Sequence, residues 1–187
     1  NDISYRVGVI TLPSFYIDFE ERSAGIQNYK STTRDVSILL DSLNKVGMDA
    51  LVIDLRYNGG GSLDEAIDLT GLFIPSGPIV QVRNTDKTID VLSDENPRVL
   101  YTGPLAVLEN RYSASASEIF AAAIQDYKRG VVFGENSFGK GTVQSLLSLE
   151  RPVLNYLNRL ISVNQFSNND DLKELRDKLN NKEISLG

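Results

Sequence analysis

Three serines and one lysine are the residues of this sequence whose types and spacing could support covalent chemistry. Ser113, Ser115 and Ser117 stand at alternate positions in "RYSASASEIFAAAIQDY". Lys140 follows in "GENSFGKGTVQ", with a glycine on each side. A serine hydroxyl is a weak nucleophile until a neighbouring base takes its proton. Because the chain has no histidine and no cysteine, a serine–histidine triad and thiolate chemistry are excluded, and nucleophilic catalysis must use serine, threonine or lysine.

A local pattern offers a purely structural explanation for the central serine. Ser115 precedes a helix-like run, and Glu118 stands three residues later, which is the spacing of a capping box. In that arrangement the two side chains satisfy main-chain N–H groups at the start of a helix and perform no chemistry. Taken alone, this stretch favours capping over catalysis.

Lys140 is the observation that weighs against capping alone. Most lysines are exposed, so a surface role is the ordinary expectation for this residue as well. If its apolar neighbours Phe138 and Val143 bury it, loss of hydration favours a neutral amine, which can accept the proton of a serine hydroxyl in a Ser–Lys dyad. In a strand, Lys140, Thr142 and Gln144 share one face, so that Gln144 could orient the amine.

A run of three glycines forms a second candidate region, "DLRYNGGGSLDEA". Glycine and asparagine suit a tight turn with positive φ, which is one interpretation. Alternatively, a main-chain N–H of Gly60 or Gly61 could stabilise a reacting oxyanion together with the N–H of Ala116. A phosphate-binding loop is disfavoured, because neither GxxxxGK[ST] nor GxGxxG occurs in this stretch. Asp54 and Arg56 are expected to brace the turn.

The composition limits the class of protein. The 187 residues, 41% of them hydrophobic and 24% charged, fit one globular domain or one domain with an appendage. A net charge of -6 without a basic patch argues against nucleic acid as a partner. The absence of cysteine and histidine argues against a zinc site, and no other metal or cofactor is expected. No apolar run approaches the roughly 20 residues that span a bilayer.

The elements that must position these residues alternate between strand and helix. Strands are predicted in "YRVGVITLPSF", "LVIDL", "GPIVQVRN", "GPLAVLEN" and "VVFG", and helices in "TTRDVSILLDSLNKVG", "SLDEAIDLTGLFI" and "ASEIFAAAIQDYKRG". This order predicts an α/β fold with a mostly parallel sheet flanked by helices. Functional sites of such sheets form beyond the carboxyl ends of the strands, where the serines and the glycine run lie.

The remaining segments have weaker patterns. "NTDKTIDVLSDENP" predicts a hairpin or a surface loop, and Thr33 is the expected N-cap of the first long helix. A further strand is predicted directly after Lys140, and "RLISVNQF" could be one more strand. "NNDDLKELRDKLNNKEISLG" predicts a polar, charged helix at the carboxyl end.

Four motifs, in this order, resemble the catalytic core of the carboxyl-terminal processing peptidases, the tail-specific proteases of serine peptidase family S41. They are "DLRYNGGGSLDEA", "TGLFIPSGPIVQVR", "RYSASASEIFAAAIQDY" and "GENSFGKGTVQ", and they look most like the bacterial periplasmic subgroup. The resemblance runs from about residue 5 to residue 144. It implies a crotonase-like or ClpP-like catalytic core over residues 1–166, with residues 167–187 as a polar helical tail from a separate C-terminal region.

The resemblance also implies a Ser–Lys endopeptidase and gives the candidate residues their roles. Ser115, followed by Ala-Ser-Glu, matches the family nucleophile, and Lys140 matches its general base. Gln144 matches the glutamine that supports the base. The implied oxyanion donors are the N–H of Ala116 and an N–H of the pair Gly60 and Gly61.

Substrates, partners and location are expected from the resemblance as well. The substrates are proteins or peptides with exposed, unstructured, apolar C-termini. Family members carry a PDZ domain ahead of this core, and an adaptor or a homo-oligomer is a further partner to consider. The periplasm or another exported location is expected, and a chain that opens at Asn1 without methionine is consistent with a removed leader. Asp126 matches an acidic residue considered important in the subgroup, although an aspartate in a helix is more often structural.

Two alternatives to catalysis stay open at this point. A non-catalytic ligand- or peptide-binding module of the same fold is the first, since related repeats carry retinoids and a fold does not fix a function. A regulated or inactive fragment, misaligned without its PDZ partner, is the second. A pure binder has no need of Ser115, Lys140 and paired glycine donors together, which is the feature that separates these interpretations.

Overall fold

The computed structural model describes residues 4–143, 150–162 and 168–184. Contacts between Cα atoms divide the chain into two compact units, Asn1–Thr142 and Val143–Gly187. The domain boundary predicted between residues 166 and 167 falls outside the described ranges and stays a prediction. The division between the two compact units lies earlier in the chain, after Thr142. The same is true of the strand predicted after Lys140, most of which lies outside these ranges.

The first unit alternates strands and helices along the chain. Its elements are β1 (Val7–Thr11), α1 (Phe19–Ser23), α2 (Thr32–Lys45), β2 (Ala50–Asp54), α3 (Leu63–Gly71), β3 (Gly77–Arg83), β4 (Ile89–Asp94), β5 (Leu105–Glu109), α4 (Ala116–Asp126) and β6 (Val131–Gly134). The second unit contains the helices α5 (Glu150–Ser162) and α6 (Asp170–Asn180).

Four strands form a parallel sheet in the order β1-β2-β5-β6, and β3 pairs with β4 in a separate antiparallel hairpin. The predicted α/β class with a mostly parallel sheet is therefore confirmed, as is the hairpin. The carboxyl ends of parallel strands meet at one edge of a sheet. This edge carries the glycine turn (residues 55–62), the serine turn (residues 110–115) and the lysine loop (residues 135–143).

One face of the parallel sheet builds the hydrophobic core. Paired residues of neighbouring strands point to the same face, and Ile10, Ile53 and Val107 form one such buried row. Two aromatic rings of the core, Phe73 and Phe120, meet edge to face with centroids 5.8 Å apart. Burial of side chains of this size stabilises a fold by roughly 1.5–3 kcal/mol each, so this layer fixes the positions of the strand ends.

The opposite face of the sheet is apolar but far less covered. Val9, Val52, Ala106 and Val131 are in register across the four strands. Val9 and Val131, on the two edge strands, are 59% and 55% exposed. Phe133, two residues further along β6, is 58% exposed. Parallel sheets are normally covered on both faces. Within the described residues, this sheet presents one packed face and one exposed apolar face.

Three local predictions differ from the structure. The N-cap of α2 is Ser31 rather than Thr33, because the Ser31 hydroxyl accepts a hydrogen bond from the Arg34 N–H at 3.2 Å. Residues 159–162, predicted as part of a strand, belong to α5, since apolar residues there recur at helical spacing. Lys140 lies in a loop and not in a strand, so the argument from a shared strand face does not apply.

The second unit contains the polar helix that was predicted near the carboxyl end. The α6 helix begins after Asn169, whose side chain accepts a hydrogen bond from the Leu172 N–H at 3.1 Å. Two aspartates in its first turn suit the positive end of the helix dipole. None of the helices in the described ranges is long and apolar enough to cross a bilayer.

Candidate active site

The serine turn holds Ser115 in an unusual backbone conformation. Ser115 is the N-cap of α4, with φ 59° and ψ -116°. Residues other than glycine rarely adopt such angles, which cost of order 1–3 kcal/mol and occur mostly at functional sites. The turn therefore presents this side chain at the carboxyl edge of the sheet, beside the N-terminus of a helix, where negative charge is stabilised.

The other two serines of the cluster are structural. Ser113 and Ser117 are fully buried, and their hydroxyls donate hydrogen bonds to the carbonyl oxygens of Leu55 and Asn58, each at 2.9 Å. Ser115 alone of the three lines a groove. The alternating spacing alone could not separate these three positions, because it does not show which hydroxyl is already engaged; only the resemblance singled out Ser115.

Asn58 joins the glycine turn to the serine turn. It is fully buried, and its side-chain amide donates to the carbonyl oxygen of Leu12 at 2.8 Å. Its side-chain oxygen accepts the Gly60 N–H at 2.9 Å, and its carbonyl oxygen accepts the Ala114 N–H at 3.0 Å. A buried amide with all these partners is a rigid connection, since each lost bond would leave a polar group unsatisfied.

Close approach explains why two of the glycines are required. A Cβ atom on Gly60, whose φ is +100°, would lie 2.7 Å from the carbonyl oxygen of Ala114 and 2.8 Å from the Cβ of Ser115. A Cβ atom on Gly61, whose φ is +149°, would collide with the carbonyl group of Phe15. Both positions thus need positive φ and have no room for a side chain, as the tight-turn interpretation predicts.

The two glycines differ in the availability of their N–H groups. The Gly60 N–H is engaged by the side chain of Asn58. The N–H groups of Gly61 and Ala116 form no hydrogen bond within the described residues. Since the Gly60 Cβ position lies 3.0 Å from the nitrogen of Ala116, the two turns are in contact at this point. Gly61 and Ala116 therefore retain the donors that an oxyanion hole needs.

Glu118 fastens the lysine loop to the serine turn. One of its carboxylate oxygens accepts the main-chain N–H groups of Ser115 at 2.7 Å and Lys140 at 2.9 Å. The other oxygen accepts the Ser137 hydroxyl at 2.7 Å and the Gly139 N–H at 2.6 Å. The main-chain nitrogens of Ser115 and Lys140 consequently lie within two hydrogen-bond lengths of each other, through a single oxygen atom.

The charge on Glu118 is stabilised by these donors. Burial on its own would raise the pKa of this carboxyl group, but the hydrogen bonds from Ser137 and the three main-chain N–H groups outweigh it, so the pKa is lowered. An ionised carboxylate accepts stronger hydrogen bonds than a neutral one. Glu118 is thus a charged clamp at neutral pH.

The capping box predicted from the spacing of Ser115 and Glu118 is present in the structure. Glu118 accepts the Ser115 N–H as the motif requires, and the Ser115 hydroxyl faces the start of α4. That hydroxyl, however, makes no hydrogen bond of good geometry to the helix N-terminus. A capping serine accepts a main-chain N–H with its oxygen and keeps its own proton, so capping does not exclude a role of Ser115 as a nucleophile.

A groove of about 750 Å³ contains the candidate nucleophile and base. Ser115 and Lys140 both line it, and Lys140 is half-buried. The groove continues along α4 and past β3, where Ile79, Ile119 and Ala122 give it an apolar lining. The serine turn, the lysine loop and the hairpin strand thus share one concave surface, which is the usual form of a catalytic site.

Asp126 is not brought beside Ser115, and Gln144 cannot be placed. Asp126 lines the same groove, but it lies three helical turns from Ser115, about 16 Å at 1.5 Å per residue. A direct role beside the nucleophile is therefore not supported by its position. Gln144 falls outside the described residues, and its role stays a prediction.

Asp54 and Arg56 brace the glycine turn, as expected. Arg56 donates two side-chain hydrogen bonds to Asp54, at 2.9 Å and 2.7 Å. The hydrogen bond from Arg56 is the main reason that the pKa of Asp54 is lowered.

In the described part of the chain, no group of three or more histidine, cysteine, aspartate or glutamate side chains could hold a metal ion.

Comparison with known proteins shows the family of this chain. The sequence profile of peptidase family S41 matches residues 6–161. The tail-specific protease of Haemophilus influenzae is 51% identical over 144 residues, which make up 77% of this chain and 19% of that protein. The carboxy-terminal processing protease CtpA of Bacillus subtilis is 36% identical over 149 residues, 77% of this chain and 32% of that protein. The chain belongs to peptidase family S41, as its motifs predicted.

A solved structure shows the same fold. The photosystem II D1 C-terminal processing protease superposes with a TM-score of 0.64 at 31% sequence identity. The superposition covers 78% of this chain and 34% of that chain. The chain thus spans between about a fifth and a third of the length of these relatives, whose names describe enzymes that process the C-termini of proteins.

Proposed function

We propose that this chain provides the catalytic core of a serine endopeptidase with a Ser–Lys dyad, Ser115 as nucleophile and Lys140 as general base. The observation that carries the proposal is the Glu118 oxygen shared by the main-chain N–H groups of both residues. This contact holds the loop of the base beside a strained serine, whose hydroxyl proton is not used in capping the helix.

The proposed reaction proceeds in two stages. The neutral amine of Lys140 accepts the hydroxyl proton as Ser115 Oγ bonds to the carbonyl carbon of the substrate peptide. The N–H groups of Ala116 and Gly61 hold the resulting oxyanion. The Lys140 ammonium then gives its proton to the leaving amine as the peptide bond breaks. Water, deprotonated by the same amine, finally releases the acyl group from Ser115.

Unfolded polypeptide is the substrate that best fits the groove. Its apolar lining suits uncharged side chains, and β3 offers main-chain groups beside it for an extended strand. We therefore propose that substrates are proteins with unstructured, apolar C-termini. The names of two relatives, a tail-specific protease and a C-terminal processing protease, support action near protein C-termini. A PDZ domain of a longer chain, an adaptor or a second copy would present them. The location proposed is the bacterial periplasm or another exported compartment.

Cleavage of an unfolded reporter protein with an apolar C-terminus tests the proposal. Parent protein is compared with Ser115→Ala and Lys140→Ala, and with the control variants Ser23→Ala and Lys45→Ala at exposed positions. The parent and both controls are expected to cut, whereas each dyad variant loses activity by about as much as the double variant, because the two residues act as a unit. Products are identified by mass spectrometry.

The pH profile separates a lysine base from other roles of that residue. Since the amine acts in its neutral form, kcat/KM of the parent is expected to rise with increasing pH. Cleavage that persists in Ser115→Ala would show that the nucleophile is wrong. Peptide binding without any cleavage, also in a longer chain with its PDZ domain, would favour the non-catalytic binding module instead.

A further inference from the structure

An exposed aromatic pair stands at the carboxyl edge of the sheet, outside the groove. The rings of Tyr57 and Tyr112 are stacked, with centroids 5.5 Å apart and an interplanar angle of 18°. The two residues are 73% and 52% exposed. The guanidinium group of Arg111 lies 5.3 Å from the centre of the Tyr112 ring. This pair is the Tyr57–Tyr112 platform.

The platform is held by specific main-chain contacts. The side-chain oxygen of Asn110 accepts the N–H groups of both Tyr57 and Tyr112, each at 3.1 Å. Tyr57 has a φ of 66°, a left-handed conformation that is uncommon for a bulky residue. A strained backbone that holds a large ring in solvent adds nothing to the core, and such strain is concentrated at sites that bind or react.

The platform belongs to the turns that come before α4 in the fold, and neither of its tyrosines lines the groove. The groove follows α4 from Ser115 towards Tyr127, the residue after the last turn of the helix. Tyr112 comes before the start of that helix, in the serine turn, and Tyr57 is next to Asn58, which holds the Ala114 N–H. A polypeptide cut in its interior extends from the nucleophile in both directions. One half can lie in the groove, and the other half then passes the platform.

We propose that the Tyr57–Tyr112 platform is a substrate subsite for an aromatic or large apolar side chain, on the half of the substrate that leaves the groove. This inference rests on the proposed peptidase function. Aromatic faces bind other aromatic rings and aliphatic groups through stacking and burial of apolar area. The positive charge of Arg111 beside the ring disfavours lysine and arginine at the same place.

Matched peptides test the subsite. The peptides share one cleaved bond and differ only at single positions within three residues on either side, where phenylalanine, leucine, glycine or lysine is placed. The parent is expected to prefer phenylalanine over glycine by about 3- to 10-fold in kcat/KM at one position. In the variant with Tyr57→Ala and Tyr112→Ala this ratio is expected to fall to about one, because the phenylalanine peptide loses its advantage. Tyr5→Ala, at another exposed tyrosine, keeps the preference.

Binding to Ser115→Ala protein gives a second readout that does not require turnover. The phenylalanine peptide is expected to bind Ser115→Ala more tightly than the glycine peptide, by a similar factor, and to lose that advantage when both tyrosines are also replaced. If the double tyrosine variant loses the same factor of kcat/KM on every peptide, or keeps the parental preference for phenylalanine over glycine, the subsite is overturned. Either result leaves the peptidase function intact. A parent protein that cuts none of the peptides would contradict the peptidase function and the subsite with it.

Discussion

Glu118 shows how one residue can couple two parts of a site that are distant in the chain. Its four hydrogen bonds come from the serine turn and the lysine loop. A serine and a lysine react together only if their separation is held within a fraction of an ångström. In the proposed mechanism the carboxylate is therefore a positioning group, which acts through the backbone and not on the substrate.

Replacing Glu118 by glutamine is expected to lower kcat by about 100-fold, because an amide group cannot accept all four hydrogen bonds and the lysine loop moves. Steady-state kinetics on a peptide substrate measure the loss, and circular dichroism verifies the fold. Ser137→Ala, which removes one of the four bonds, is the matched control and should cost much less. Parental kcat in Glu118→Gln would show that the loop is positioned by other contacts.

Glu109 is a buried acid beside this clamp. It is 9% exposed, one of its oxygens has no hydrogen-bond partner in the described residues, and burial followed by the charge of Glu118 raises its pKa to about 7. The ordinary pKa is 4.5. Between these two values the folded protein binds more protons than the unfolded chain, so the free energy of unfolding falls as the pH rises through this window.

Glu109→Gln should remove this pH dependence. The variant is expected to be more stable than the parent at pH 8, by on the order of 1–2 kcal/mol, with a much smaller difference at pH 5. Urea denaturation at the two pH values measures the change, with the exposed Glu20→Gln as control. An equal effect of Glu109→Gln at both pH values would rule out titration as the cause.

At the scale of elements, the site depends on contact between two strand-to-helix turns. Gly60→Ala places a methyl group against the carbonyl oxygen of Ala114 and the side chain of Ser115. Displacement of the serine turn is expected to reduce kcat/KM by at least about 100-fold. The neighbouring Gly59 is a matched control, because a methyl group there meets nothing within 4 Å. Kinetics and thermal unfolding of both variants are compared; similar activity losses would contradict the steric argument.

The elements themselves were largely predictable from the sequence. Strands β2 and β5 are continuous apolar runs, and α4 has apolar residues at helical spacing and an acidic first turn. The residues 159–162 show where such reasoning fails. A short apolar run fits a strand and a helix equally well, and its partner in space decides between them.

The site was predictable only in its list of residues. Ser115 and Lys140 carry a motif, but the engagement of Ser113 and Ser117 depends on oxygens more than 50 positions away in the chain. The spacing of Ser115 and Glu118 is visible in the sequence, whereas the contact of Glu118 with the lysine loop is not. Long-range hydrogen bonds leave no periodic pattern in a sequence.

At the scale of the whole molecule, the exposed apolar face of the sheet should govern association. The double variant Val9→Thr, Phe133→Thr is expected to bind less of a dye that reports exposed hydrophobic surface, and to associate less as its concentration rises. Its free energy of unfolding is expected to stay within about 0.5 kcal/mol of the parental value. The control Val107→Thr, on the packed face and fully buried, should instead destabilise by about 1–3 kcal/mol. Sedimentation measures association and urea denaturation measures stability. Unchanged association of the double variant would show that this face does not mediate self-association.

The positive φ of Ser115 has a consequence for the energy of the whole fold. Glycine adopts this conformation without strain and costs little as an N-cap, whereas alanine retains the strain. Ser115→Gly is therefore expected to melt higher than Ser115→Ala, by roughly 2–4 °C for each kcal/mol relieved. Calorimetry of the two inactive proteins measures the difference. A glycine at this position would thus relieve backbone strain while removing the hydroxyl that the proposed mechanism requires.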